Sequence, residues 1–371
     1  MGVFDRICRL LPLSRNKIVF SNFLGNGFGE NPKYIAEEII RRNLPYDLVW
    51  LVRNPDEFVP NPIRKVEIYT RNCRWELATA RVIISNVKSG LPFQKKVGQY
   101  YIQTWHGDFP LKYIEREAVG SLSENYVRAS QIDSSVTDLI LSGNRFFSGI
   151  VRDAFWYDGE ILEKGLPRND IFFRPSDAVS QKIRGVYKIP AGSRILLYAP
   201  TFRGIGKHLP ELELGLIREK LEQISGGAWS ILFRLHNVDR GRDVSSLLQA
   251  GGIDVSDYPD VQELECASQL LITDYSSMMY DFAIQGKPVL LFTPDVVEYS
   301  MDRGLRPLFY RLPFPRFEES GHFESALSEV LSEEGRRKCQ SFFEHEVISV
   351  ETGHSSEAVV NRIQQFIDSH E

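Results

Sequence analysis

The stretch Gln269-Leu-Leu-Ile-Thr273, Asp274-Tyr-Ser-Ser277, Met278-Met-Tyr-Asp-Phe-Ala-Ile284, Gln285-Gly286 and Pro288-Val-Leu-Leu-Phe-Thr293 decides the fold class. A short apolar run ends at a polar step, a helical segment follows, a glycine closes it, and a second apolar run begins. This is the strand–helix–strand pattern of an α/β protein with parallel strands. Ser276 and Ser277 stand where the helix should start. A serine there caps free backbone N–H groups, and the positive end of the helix dipole favours an anion. The same serines serve equally well as ordinary helix caps.

The pattern extends along the chain in both directions. In the second half, Arg194-Ile-Leu-Leu-Tyr-Ala199 runs into Pro200, and Trp229-Ser-Ile-Leu-Phe-Arg-Leu235 runs into His236. In the first half the expected strands are Lys17–Phe20, Tyr46–Val52, Arg81–Ser85, Tyr100–Thr104 and Leu139–Ser142. Helices are expected from Pro32 and over Trp75–Ala80. The polar stretch from Arg174 to Ser193 marks the domain junction, dividing the chain into 1–175 and 176–371, with a last helix that can pack back on the first domain. Each strand ends at a polar cluster, and open α/β sheets place their sites at those ends.

Composition narrows the function. The 371 residues carry 44 Lys and Arg against 49 Asp and Glu, a net charge of −5, with 43% hydrophobic residues. A globular, two-domain chain is expected. The charge balance offers no basic excess for nucleic acid. The four cysteines, Cys8, Cys73, Cys266 and Cys339, have neither disulfide-framework nor zinc spacing and read as reduced thiols. No run is long and apolar enough to span a bilayer, and no secretory signal precedes the fold. A cytoplasmic protein follows as the expectation. Val3, Phe4, Ile7, Leu10 and Leu11 recur at helical spacing beside Arg6, Arg9, Arg15 and Lys17. That pattern fits either a segment lying on an anionic membrane surface or a helix docked on the protein's own core.

Several strand ends carry groups capable of chemistry. His106 in Gln103-Thr-Trp-His-Gly107 follows a strand, and an imidazole there can accept a proton near neutrality. Arg234 and His236 alternate along Phe233-Arg-Leu-His-Asn237 and can meet a phosphoryl group together. Gly165-Leu-Pro-Arg-Asn-Asp170 is a turn, and Thr201, Arg203 and Arg303 lie at other strand or helix ends. Each also has a plain structural reading as a turn, an edge arginine or a satisfied histidine. No phosphate-binding P-loop, dinucleotide fingerprint, nucleophile elbow or metal-ligand spacing occurs in the sequence.

As a set, these strings resemble the CDP-glycerol glycerophosphotransferase family, the synthases of teichoic-acid and related capsule polymers. The resemblance rests on Asn31-Pro-Lys33, Gln103–Gly107 with Pro110-Leu-Lys112, Gly165–Asp170, Tyr198-Ala-Pro-Thr-Phe-Arg203, Arg234-Leu-His236, Thr273–Ser277 with Asp281-Phe-Ala283, and Arg303-Gly304. It implies a GT-B-like α/β fold, two Rossmann-type domains facing across a cleft. It also implies transfer of a polyol phosphate from CDP-glycerol or CDP-ribitol to a polyol-phosphate or lipid-linked glycan acceptor, with release of CMP.

The resemblance assigns roles to particular residues. His106 is implied as the base, and His236 with Arg234 as donor-phosphate ligands. Thr273, Ser276 and Ser277 are implied as diphosphate binders. Gly165, Pro167, Arg168 and Asn169 are implied on the cytidine side, and Thr201, Arg203 and Arg303 complete the donor set. No tightly bound cofactor and no protein metal cage are implied. Mg2+ can accompany a diphosphate without one. The expected location is peripheral, at the inner face of the cell membrane. A nucleotide-sugar glycosyltransferase and a non-catalytic membrane scaffold are the competing readings. One departure stands out. The family usually has a single Thr between Trp-His-Gly and Pro-Leu-Lys, whereas Asp108-Phe109 occupy that place here.

Overall fold

The computed structural model describes residues 3–88, 95–203, 209–235 and 243–370, without the side chains of residues 3, 5, 6, 9, 302 and 303. It resolves into two compact units. Unit 1 comprises Met1–Asp108, Ile114–Asp170 and Ser349–Glu371; unit 2 comprises Phe109–Tyr113 and Ile171–Ile348.

Unit 1 is built on a seven-stranded parallel sheet: β1 (Lys17–Ser21), β2 (Asp47–Val52), β3 (Arg64–Glu67), β4 (Val82–Ser85), β5 (Tyr100–Gln103), β6 (Leu139–Ser142) and β7 (Glu160–Glu163), in the order β3-β2-β1-β4-β5-β6-β7. Both faces of the inner strands are buried, as helix-covered parallel sheets require. Ile18, Phe20, Trp50, Val82 and Ile84 point into one apolar layer with Ile35 and Ile39 of helix Glu30–Arg41 and with Val359, Val360, Ile363 and Ile367 of helix Ser355–Asp368. Val19, Val49, Leu51, Ile83 and Tyr101 point the other way, against Cys73 and Leu77 of helix Arg71–Thr79.

Unit 2 repeats the scheme with six parallel strands: β8 (Arg194–Tyr198), β9 (Trp229–Phe233), β10 (Gly252–Asp254), β11 (Leu270–Thr273), β12 (Val289–Phe292) and β13 (Arg316–Phe317), in the order β10-β9-β8-β11-β12-β13. Tyr198, Phe233, Ile272 and Leu290 pack with Ile217 and Leu221 of helix Leu214–Ser225 and with Phe323 and Leu327 of helix Phe323–Leu331. The strand order reverses between β1 and β4 in unit 1, and between β8 and β11 in unit 2. Doubly wound sheets open their crevices at such switch points. The expected α/β class with two parallel, Rossmann-type sheets is what the chain adopts.

The segment Val3–Leu10 is a helix in unit 1. Cys8 is buried, and the Phe4 ring lies under the Arg71 guanidinium at 5.8 Å. Ile7 and Leu10 are 51% and 87% exposed. The side chains of Val3, Arg6 and Arg9 lie outside the described residues. Among the described residues, no helix is long and apolar enough to cross a membrane. The four cysteines are free thiols.

Candidate active site

His106 follows β5 in unit 1. Its Nδ1 lies 2.9 Å from the carbonyl oxygen of Asn86, just beyond the neighbouring strand β4. A carbonyl can only accept, so Nδ1 carries the proton and Nε2 keeps its lone pair. The ring packs beside Trp105 and Phe23, with centroids at 4.3 and 5.6 Å. Burial holds its pKa below the ordinary histidine value, opposed by the Asn86 hydrogen bond and by the charges of Glu30 and Glu115, while Arg168 lowers it further. A neutral imidazole with one free nitrogen is a general base at neutral pH.

Three of the quoted motifs meet around this ring. Trp105 has φ +55°, a left-handed conformation that a bulky residue adopts only when its surroundings enforce it. Asn31 supplies part of that enforcement, donating from Nδ2 to the carbonyls of Thr104 (3.4 Å) and Trp105 (3.2 Å). Its Oδ1 accepts the backbone N–H of Arg168 at 3.1 Å. Arg168, 3% exposed, donates from Nη1 to the His106 carbonyl (3.1 Å) and to Glu30 Oε2 (2.7 Å). Carbonyls beyond the end of a strand have lost their ladder partners, and buried ones need replacements.

The Gly165–Asp170 turn is held from the C-terminal side of the chain. Glu351 Oε1 accepts from Leu166 N at 3.0 Å and from Asn169 Nδ2 at 2.9 Å. The Asp170 carboxylate accepts the first two N–H groups of helix Ser355–Asp368, Ser355 N at 2.9 Å and Ser356 N at 2.8 Å. Gly165 has φ +91°, and a Cβ there would collide with Ser355 Oγ and the Glu351 carboxylate. Pro167 opens the 3-10 turn Pro167–Phe173 and is buried. All four residues of the expected cytidine-side set therefore lie in or beside unit 1's own hydrogen-bond network.

The unusual pair Asp108-Phe109 turns inward. Asp108 is 1% exposed; its Oδ2 accepts from Gly143 N at 2.8 Å, and its carbonyl accepts from Asn144 Nδ2 at 3.1 Å. Phe109 stacks on Tyr280 with centroids 5.2 Å apart. The extra residue is absorbed by packing, and the added carboxylate is spent on a backbone amide.

In unit 2 the switch point brings Thr201 and Arg203, after β8, onto Asp274, after β11. The Thr201 N–H donates to both Asp274 oxygens (2.9 and 3.0 Å), and its hydroxyl also donates to that carboxylate. Arg203 pairs with Asp274 at 2.7 Å and with Asp295 at 2.5 Å. Its guanidinium lies over the stacked rings of Tyr275 and Tyr299 at 4.9 and 5.0 Å. Two carboxylates push the Arg203 pKa up, outweighing burial. Thr273 is fully buried and donates to the Ala199 carbonyl at 2.7 Å. Arg234 donates from Nη1 to the carbonyls of Val255 (3.1 Å), Ser256 (3.4 Å) and Tyr258 (2.7 Å).

Ser276 and Ser277 are partly exposed just before helix Met278–Ile284, and Ser276 Oγ accepts from Met278 N at 3.2 Å. His236 and the side chain of Arg303 lie outside the described residues. A cavity of about 550 Å3 adjoins Arg203, and Glu211, Asp295, Glu298 and Glu318 line it. Among the described residues, no group of three or more His, Cys, Asp or Glu side chains is placed to hold a metal ion.

Sequence reasoning did not single out Glu30, Asn86, Asp274, Asp295 or Glu351. Asp274 and Asn31 stood inside quoted motifs without an assigned role. Asn86 acts through its backbone, which no side-chain pattern reveals, and Glu351 is remote in sequence from the turn it holds.

The chain is similar to known proteins in fold and sequence. The wall teichoic acid polymerase TagF has solved structures that match with TM-score 0.86 and 30% identity over 99% of this chain and 93% of theirs; another, at TM-score 0.86, is an asparagine-for-histidine variant soaked with CDPG. A UDP-GlcNAc 2-epimerase from Neisseria meningitidis shares the fold alone, with TM-score 0.53 at 11% identity. In sequence, a teichoic acid poly(glycerol phosphate) polymerase of Staphylococcus epidermidis is 33% identical over 94% of this chain, which spans about half (50%) of that protein's length. A Bacillus spizizenii polymerase of the same description is 29% identical over 98% of this chain and 95% of its own. A poly(ribitol-phosphate) polymerase from the same species is 25% identical over 96% of this chain and 57% of its own. The family model of CDP-glycerol:poly(glycerophosphate) glycerophosphotransferases matches residues 3–365, nearly the whole chain, and the chain belongs to that family.

Proposed function

We propose that this chain transfers a polyol phosphate from a CDP-activated donor to an acceptor hydroxyl, releasing CMP, in the synthesis of a teichoic-acid-like surface polymer. The observation that carries this reading is His106, whose Nδ1 is committed to the Asn86 carbonyl and whose Nε2 is left with its lone pair. The acceptor oxygen attacks the phosphorus that bears the polyol, and its proton passes to Nε2. The bond from that phosphorus to the bridging oxygen breaks, and CMP leaves with the electron pair. Phosphoryl transfer of this kind needs positioning and charge neutralisation more than covalent chemistry.

On the donor side, Ser276 and Ser277 offer hydroxyls and backbone N–H groups to a diphosphate, with His236 and Arg303 assigned by the family resemblance. The described hydrogen bonds of Thr201, Thr273, Arg203 and Arg234 go to protein groups. In this conformation they act on the donor through the loops they hold. Any divalent ion would ride on the donor's own phosphates. Ile7 and Leu10 present an apolar face that fits an anionic membrane surface at the inner leaflet. Deleting residues 3–10 should then abolish co-sedimentation with anionic vesicles.

The test of function is CMP release from CDP-glycerol and CDP-ribitol with a glycerol-phosphate oligomer as acceptor. UDP-GlcNAc serves as the control for a sugar transferase. Turnover of a CDP-polyol that His106→Ala reduces by at least about 100-fold supports the proposal. Turnover of the nucleotide sugar alone, or unimpaired turnover by the variant, overturns it.

A further inference from the structure

We infer that Arg168, together with Glu30, is a positioning pair for His106 and not a contact for the donor's nucleobase. The inference rests on His106 being the proton acceptor proposed above, and it concerns what keeps that acceptor in place.

The geometry is specific. One nitrogen of Arg168, Nη1, donates to the His106 carbonyl at 3.1 Å and to Glu30 Oε2 at 2.7 Å. The Arg168 backbone N–H donates to Asn31 Oδ1, and Asn31 Nδ2 holds the carbonyls of the two residues before His106. Three consecutive carbonyls, Thr104 to His106, are therefore fixed by two side chains. Together they enforce the left-handed Trp105 that aims the next residue. Arg168 is 3% exposed, and its Nη1 is committed to two groups of unit 1, the His106 carbonyl and the Glu30 carboxylate. A nucleobase ligand needs polar groups directed into open space, whereas a brace needs the burial seen here.

The charges facing His106 are Glu30 at the start of helix Glu30–Arg41, Arg168 on the turn, and Glu115, which lies 3.7 Å from Lys88. Glu30 and Arg168 act on the imidazole in opposite senses and pair with each other at 2.7 Å. Removing either one exposes the other. Loss of the guanidinium leaves Glu30 to stabilise the imidazolium, and loss of the carboxylate leaves Arg168 to oppose it.

The experiment compares wild type, Arg168→Gln, Arg168→Lys, Glu30→Gln and His106→Ala. It reads CDP-glycerol affinity by calorimetry, CMP release against pH, and the His106 imidazole titration by NMR. In Arg168→Gln the expected results are a kcat lowered at least 10-fold, a CDP-glycerol Kd within 2-fold of wild type, and a His106 titration moved up by about one pH unit. Glu30→Gln should move it down by a similar amount, and Arg168→Lys, which keeps the charge, should leave it near wild type. The NMR titration does not depend on turnover, and Glu30→Gln alters only a side chain at the edge of the network, so the pair can be judged even if Arg168→Gln fails to fold. A 10-fold weaker donor Kd with an unmoved imidazole titration would assign Arg168 to the nucleotide and overturn the inference. So would equal losses of melting temperature and kcat in the Arg168 and Glu30 variants with no movement of the titration. Full activity of His106→Ala would instead refute the base assignment, while the titration shifts would still report on the pair.

Discussion

The Asn86 carbonyl stands 2.9 Å from His106 Nδ1 and so decides which nitrogen of the ring is basic. The contact joins the ends of two adjacent strands, β4 and β5, so the tautomer is set by the sheet itself. The Asn86 side chain in turn anchors that carbonyl, donating to Asn22 Oδ1 at 2.7 Å and accepting from Phe23 N at 2.8 Å, so the relationship is sensitive to anything that shifts the loop after β4.

The first prediction concerns pH. His106 must be neutral to accept a proton, and burial holds its pKa below the ordinary value of about 6.5. Activity should therefore be level through neutrality and fall only as the pH drops below about 6.5. Stability should follow the same sense. On acidification the unfolded chain takes up its histidine proton first, so His106 contributes stability above about pH 6.5 that is lost as the pH falls towards its folded pKa. The melting temperature of wild type should decline more steeply than that of His106→Gln over this window. Parallel declines would show that the ring is not perturbed.

A second prediction concerns Asp170. Both of its oxygens cap the start of helix Ser355–Asp368. Asn keeps one acceptor but turns an amide donor towards the other N–H. Asp170→Asn should cost about 1–3 kcal/mol in urea unfolding, with donor affinity unchanged. A weaker donor Kd at unchanged stability would place Asp170 at the nucleotide instead.

The Arg203 guanidinium pairs with both Asp274 and Asp295 in a buried setting. Arg203→Met leaves both carboxylates uncompensated and should destabilise the protein by about 3–5 kcal/mol. Arg203→Met with Asp295→Asn should recover part of that loss. If Arg203→Met kept wild-type stability and lost only donor binding, the arginine would be a ligand and not a brace.

Ser276→Ala and Ser277→Ala test the donor cradle directly. Each should raise the donor KM by about 10-fold, the loss of one hydrogen bond to a charged oxygen. The melting temperature should hardly change in Ser277→Ala and fall modestly in Ser276→Ala, which also loses the hydrogen bond from Met278 N. Unchanged KM in both variants would move the diphosphate elsewhere in unit 2.

The central strands of both sheets were legible because burial on two faces writes continuous apolar runs, as in Leu270–Thr273 and Val289–Phe292. The strands that sequence reading missed are β3, β7, β10 and β13, all at sheet edges. Edge strands have one open side and need few apolar residues, so Arg64-Lys-Val-Glu67 and Glu160-Ile-Leu-Glu163 do not stand out as strands. Which polar residues stand at the strand ends was legible. Whether an arginine there faces a ligand or a carboxylate was not, because Asp274 and Asp295 reach Arg203 only through the strand order. Likewise, nothing in the spacing joins Glu351 to Leu166.

The helix Ser355–Asp368 closes one apolar layer of unit 1, and unit 2 occupies the chain between that helix and the rest of the layer. During synthesis the ribosome must therefore release all of Ile171–Ile348 before Val359, Val360 and Ile363 can cover Phe20 and Trp50. The first sheet emerges early and stays uncapped on one side, while the second can mature whole. Of the two units, the one whose sheet is made ahead of the other should thus be the later to become protease-resistant.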